Sequence, residues 1–92
     1  MEGRSSISAD ILARYAGDAA REVEGVSGFP GRRAIRISDE NGVVVVEIHL
    51  GVEWGVSIPA VAEAVQSRVG EYLARMADIT SPRVDVVVDE IG

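Results

Sequence analysis

Glu47, His49 and Glu53 share one parity in a run where Val44, Val46, Ile48, Leu50, Val52 and Trp54 hold the other, which puts the only histidine of the chain between two acids on one strand face. An imidazole flanked by carboxylates is the raw material of a general base or of a one-histidine metal site. The spacing argues against both. Successive residues on one face of a strand lie about 6.5–7 Å apart, so Glu47 and His49 are not expected to share a close hydrogen bond, and a metal ion would need ligands from elsewhere. The chain has no second histidine and no cysteine, which removes thiolate nucleophiles, disulfides and cysteine-bound zinc together.

The remaining candidates have plainer readings. Asp39 with Glu40, and Asp89 with Glu90, are acidic pairs near turns, but neither follows the Asp-x-Asp-x-Asp-Gly spacing of a calcium loop, and both read as surface charge. Ser5, Ser6, Ser8 and Ser57 stand where helix caps belong, with no base beside them in sequence to make a nucleophile. No catalytic residue, cofactor or metal ligand is expected. Gly25-Val-Ser-Gly28 matches the Gly-x-x-Gly loop with which KH modules clamp nucleic-acid backbones, and Arg32, Arg33 and Arg36 follow it, so an RNA-binding module is the alternative function. The KH loop joins two helices, whereas this one leads from a helix into a strand.

Ninety-two residues that are 47% hydrophobic suffice for one domain, residues 1–92, with residues 1–6 expected to be flexible. The longest apolar run, residues 43–46, is far short of the roughly 20 residues of a membrane-spanning helix, and no apolar stretch follows Arg4 as a secretory signal requires, so a cytoplasmic location is expected. A net charge of −6 opposes nucleic acid and anionic lipid at long range. All nine of the Lys and Arg positions are arginine, a composition expected from a GC-rich genome.

The elements that hold these residues follow from periodicity and punctuation. Ser8 caps a first helix running to about Val23, with Ile11, Tyr15, Ala19 and Val23 joined by Leu12, Ala16 and Ala20 on its inner face. Gly25 to Arg33 reads as a loop. Residues 34–38 form a short strand, with Ile35 and Ile37 inward, and Asp39 to Gly42 a tight hairpin into the long strand from Val43, on whose inward register Trp54 falls as core or rim. A second helix begins at Ser57 and Pro59 and ends near Met76, its apolar face carrying Ile58, Val61, Val65, Val69, Leu73 and Met76. Val84, Val86 and Val88 alternate with Asp85, Val87 and Asp89 in a last strand.

The fold class is therefore α+β: a two-layer α-β-β-α-β domain with a mixed three-stranded sheet and two helices on one face. The other face stays open. Its members are Arg36, Val43, Val45, Glu47, His49, Glu53, Asp85, Val87 and Asp89, a mixture of β-branched apolar groups and acids that suits docking of a protein partner. The plain alternative is that scattered valines reflect strand propensity alone. An edge strand can also pair with another copy of the chain.

With these elements laid out, the chain resembles the alkaline-shock, envelope-stress-response family of mainly Gram-positive bacteria over nearly its whole length. The resembling pieces are Ile7-Ser8, Ala19-Ala20-Arg-Glu-Val-Glu-Gly-Val26, Val52-Glu-Trp-Gly55, Ile58-Pro59, Val61-Ala62, Val65-Gln66, Val69, Met76 and the Val84-Asp-Val-Val-Val88 strand. Trp54 stands where the family usually has tyrosine, and Ala77-Asp78-Ile79 replaces a typical Thr-Gly-Leu. The resemblance implies a non-enzymatic cytoplasmic protein that gathers beneath the membrane by binding a membrane-anchored partner, often as an oligomer, and supports envelope homeostasis under stress. It brings no catalytic residues with it.

Overall fold

The computed structural model describes residues 7–31 and 33–92. Expectations that fall on Ser5, Ser6, Arg32 and the rest of residues 1–6 lie outside these. Helix α1 (Ala9–Arg21) starts where Ser8 Oγ accepts the Ile11 N–H at 3.2 Å, and helix α2 (Ile58–Ala77) where Ser57 Oγ accepts the Ala60 N–H at 3.3 Å, with Pro59 in its first turn. Both expected caps are in place.

The strands are β1 (Val26–Gly28), β2 (Ile35–Glu40), β3 (Val43–Val52) and β4 (Arg83–Ile91). β3 is the centre of a mixed sheet. It pairs in parallel with β4 along residues 45–52, so β1 and β2, both antiparallel to it, share its opposite edge end to end: β2 along residues 43–48 and β1 at Gly51 and Val52. The fourth strand is a correction to the expected three. Residues 25–28 do not form a loop, because the Glu53 N–H donates to the Gly25 carbonyl at 2.8 Å and Val26 lies opposite Val52. At the other end Glu40 faces Val43, and the two-residue connection Asn41-Gly42 has φ of +57° and +84°, the left-handed pair that a type I′ hairpin requires.

Both helices pack on one sheet face. Leu12, Ala16, Ala19 and Ala20 of α1 and Val61, Val65, Val69 and Leu73 of α2 close over Val46, Ile48, Leu50, Val52 and Val84. The alanines bring α1 close to its neighbours, and Tyr15 meets Tyr72 edge to face at 5.8 Å. A Glu22–Arg68 ion pair at 3.2 Å and the Tyr15–Tyr72 contact set the helices antiparallel. Ile11, Ile58 and Met76, expected on inner faces, are instead exposed near the helix ends.

Trp54 departs furthest from expectation. The strand ends at Val52, and a turn from Glu53 to Val56, closed by the Val56 N–H on the Glu53 carbonyl at 3.4 Å with Gly55 at φ +90°, carries the indole away from the core. It is 83% exposed.

Candidate interaction surface

On the open face, side chains stand in rows fixed by strand register. Arg36, Glu47 and Asp85 form one row across β2, β3 and β4, and His49 and Val87 begin the next. Asp89 joins His49 through a local irregularity. Leu50 faces Val88 but Gly51 faces Glu90, so Asp89 is an extra residue in β4, a bulge of a kind that is rare between parallel strands. The bulge tips its carboxylate back toward the imidazole.

His49 is consequently held from both sides. Its Nε2 lies 2.6 Å from Glu47 Oε2 and its Nδ1 2.9 Å from Asp89 Oδ2. A neutral imidazole has one N–H and satisfies only one acceptor, whereas an imidazolium donates to both. The hydrogen bond to Glu47, then that to Asp89, accordingly raises the His49 pKa above its ordinary 6.5. The expectation that Glu47 and His49 stay apart is overturned: side chains on a strand lean along its direction, and the glutamate is long enough to close the gap. The two carboxylates grip opposite ring nitrogens rather than converging on one point, and among the described residues no cluster of acids and histidine is arranged to hold a metal ion. Both ring nitrogens thus face carboxylates of this chain.

A second network lies toward the hairpin. Arg83 on β4 binds Asp85 at 3.1 Å and reaches Glu40 on β2 at 3.5 Å, so its side chain crosses β3 above Val45. Val45 is only 4% exposed for that reason, although its register places it on the open face. It is a correction to the set of surface residues. Val43 and Val87 remain open, at 43% and 38%. Val43 and Glu53, about 33 Å apart along an extended strand, mark the two ends of the face rather than parts of one compact site.

Two groups that the sequence reading passed over shape the far end of the sheet. Ser27 is an extra residue in β1, just as Asp89 is in β4, and both irregularities flank Gly51. A Cβ on Gly51 would stand 2.8 Å from Ser27 Oγ and 3.4 Å from Glu90 Cβ, so a larger residue there must displace the Ser27 hydroxyl. The signal was present in sequence: the apolar residues of β4 on the inward register run Val84, Val86, Val88 and then Ile91, a step of three where two was due, although Ile91 at the strand end is itself exposed. Gly25, for its part, is a packing residue, since a Cβ would meet Val61 Cγ2 at 2.7 Å and its φ is +102°. Its segment is a paired strand rather than a loop between helices, which takes away the structural basis of the KH resemblance.

Residues 31–92 match the model of the alkaline shock protein 23 family, described as having a cell envelope-related function. The chain belongs to this family. Two relatives extend the similarity toward the N-terminus. Spy1614 of Streptococcus pyogenes serotype M6 is 31% identical over 98% of this chain and 88% of its own length, and YqhY of Bacillus subtilis is 26% identical over 91% and 73%. Among solved structures the family fold is similar to the MamM CTD, with a TM-score of 0.66 over 88% of this chain and 93% of that one at 19% identity, and in another MamM CTD structure 0.67 over 90% and 98%. That likeness is one of fold.

Proposed function

We propose that this family member is a non-enzymatic adaptor of the envelope stress response, working at the cytoplasmic side of the membrane by docking a membrane-anchored protein through its open sheet face and by associating with further copies of itself. The observation that carries the reading is the state of that face: most of its charged groups are tied to one another, His49 with Glu47 and Asp89 and Arg83 with Glu40 and Asp85, so they offer a charge pattern held in place beside exposed valines. The envelope-related description of the family supports the setting. No helix among the described residues is long and apolar enough to cross a membrane, so attachment to the membrane falls in this reading to the partner.

The surface assigned to docking is Arg36, Val43, Glu47, His49, Asp85, Val87 and Asp89, with Glu53 at its rim. The test is recovery of tagged protein from crosslinked cells, membrane and soluble fractions separately, for the natural chain and for the Val43→Arg, Val87→Arg double variant. An integral-membrane protein retained by the first and lost by the second, with an unchanged circular dichroism spectrum, is the expected result. Equal recovery by both would overturn the surface, and recovery chiefly of RNA or ribosomes would overturn the function.

A further inference from the structure

At the end of the domain where β3 and β4 finish and α2 begins, Trp54, Ile58 and Ile91 are all exposed. Trp54 is held there rather than left loose. Its own N–H donates to the Gly92 carbonyl at 3.1 Å, the Glu53 N–H to Gly25, and the turn to Val56 closes behind it. A rigid backbone presenting an unsheltered indole is preorganised to enter a partner's pocket, and a large aromatic with few rotatable bonds is the commonest anchor of a protein interface.

The charges around it select the partner. Glu24, Glu53 and Glu90 are exposed on the backbone segments that converge on this turn: Glu24 precedes Gly25, and Glu90 lies two residues before Gly92. Among the described residues none of the three is in an ion pair, as holds also for Asp10, Asp39, Glu63, Glu71 and Asp78, so this end of the domain carries three uncompensated carboxylates. The chain as a whole carries −6. An anionic lipid surface is repelled by this arrangement, while an arginine or lysine finds both a carboxylate rim and the face of an indole.

We infer that Trp54, with Glu24, Glu53 and Glu90, forms a docking tip for a basic, Arg- and Lys-bearing peptide segment that also contributes an apolar side chain. Such segments flank membrane spans on the cytoplasmic side, so the inference deepens the adaptor reading and rests on it for the setting. The tip shares Glu53 with the rim of the open face and does not include Val43 or Val87.

The probe is a fluorescein-labelled synthetic peptide alternating Arg and Lys with Leu, titrated by anisotropy, with a Glu-for-Lys/Arg peptide as control. Binding of the basic peptide that weakens with salt, falls roughly tenfold in Trp54→Ala and falls again in the Glu24→Gln, Glu53→Gln, Glu90→Gln variant is the expected result. A blue shift of the sole tryptophan's emission should accompany it. Equal binding of the acidic peptide, unchanged affinity in Trp54→Ala, or preferential binding to anionic phospholipid vesicles would each overturn the tip. In cells, loss of membrane-fraction recovery in the Val43→Arg, Val87→Arg variant but not in Trp54→Ala would sink the tip and leave the adaptor standing; no membrane partner for the natural chain would sink the adaptor itself.

Discussion

His49 and Asp89 are joined at 2.9 Å because β4 carries one residue more than β3 at that level. Regular pairing puts Val87, not Asp89, opposite the histidine. The bulge thus brings a second acceptor to a ring already held by Glu47, and the pair of acceptors favours its protonated form.

The sign of the resulting pH dependence follows from the raised pKa. A histidine whose folded value lies above 6.5 contributes stability that is fully present below the unfolded value and is lost as pH rises through the folded one. Thermal melting of the natural chain should therefore decline, relative to His49→Asn, as pH is raised from about 6.5, and the two should run parallel below it. An advantage over His49→Asn that does not change with pH, or that grows as pH rises above 6.5, would refute the clamp.

Gly51 is squeezed between the two irregular strands. Gly51→Val should destabilise the domain by about 1–3 kcal/mol in urea denaturation. Part of that loss should return when Gly51→Val is combined with Ser27→Gly, which removes the nearer obstacle, a non-additivity that a double-mutant cycle reads directly.

Val45 and Val87 have the same register and different surroundings. Val45→Arg displaces Arg83 from its crossing and should cost about 2–4 kcal/mol, while Val87→Arg should stay within roughly 0.5 kcal/mol of the natural chain. Equal effects on the denaturation midpoint would contradict the placement of the Arg83 side chain.

Asp78 ends α2 in the left-handed conformation, φ +58°, with its N–H on the Leu73 carbonyl. Asp78→Gly should raise stability by up to about 1 kcal/mol, since glycine adopts that conformation without a Cβ penalty.

Leu73 and Trp54 both fall on registers that the sequence assigns to the interior, but only Leu73 is buried there. Leu73→Ala should cost about 2–5 kcal/mol and Trp54→Ala less than about 1 kcal/mol, measured by the same denaturation.

What was legible in the sequence was whatever depends on a single element. Ser8 and Ser57 announce their helices by cap chemistry, Asn41-Gly42 its turn, and the alternation from Val44 to Val52 the central strand, so the two-layer α+β arrangement with helices on one face could be read directly. The misses depend on pairs of elements. Trp54 obeys the alternation, and only the knowledge that β3 stops at Val52 frees it. Residues 25–28 look like a glycine-rich loop until an edge of β3 is seen to be vacant beside them. Glu47 and His49 are correctly placed on one face, but their contact is set by side-chain lean and by Asp89, whose position requires the bulge. Val45 is covered by an arginine from another strand, which no local pattern encodes.

Among the described residues each of β1, β2 and β4 pairs with β3 and with no other strand. β2 needs only the two-residue Asn41-Gly42 connection to find it, while β4 arrives after the whole of the 20-residue α2, and loop-closure entropy grows with that separation. An order of assembly is thereby written into the topology: the β2–β3 hairpin is the early template, and β4 is the late arrival. The His49–Asp89 contact belongs to that last step, so the imidazole gains its second acceptor only when the sheet is complete.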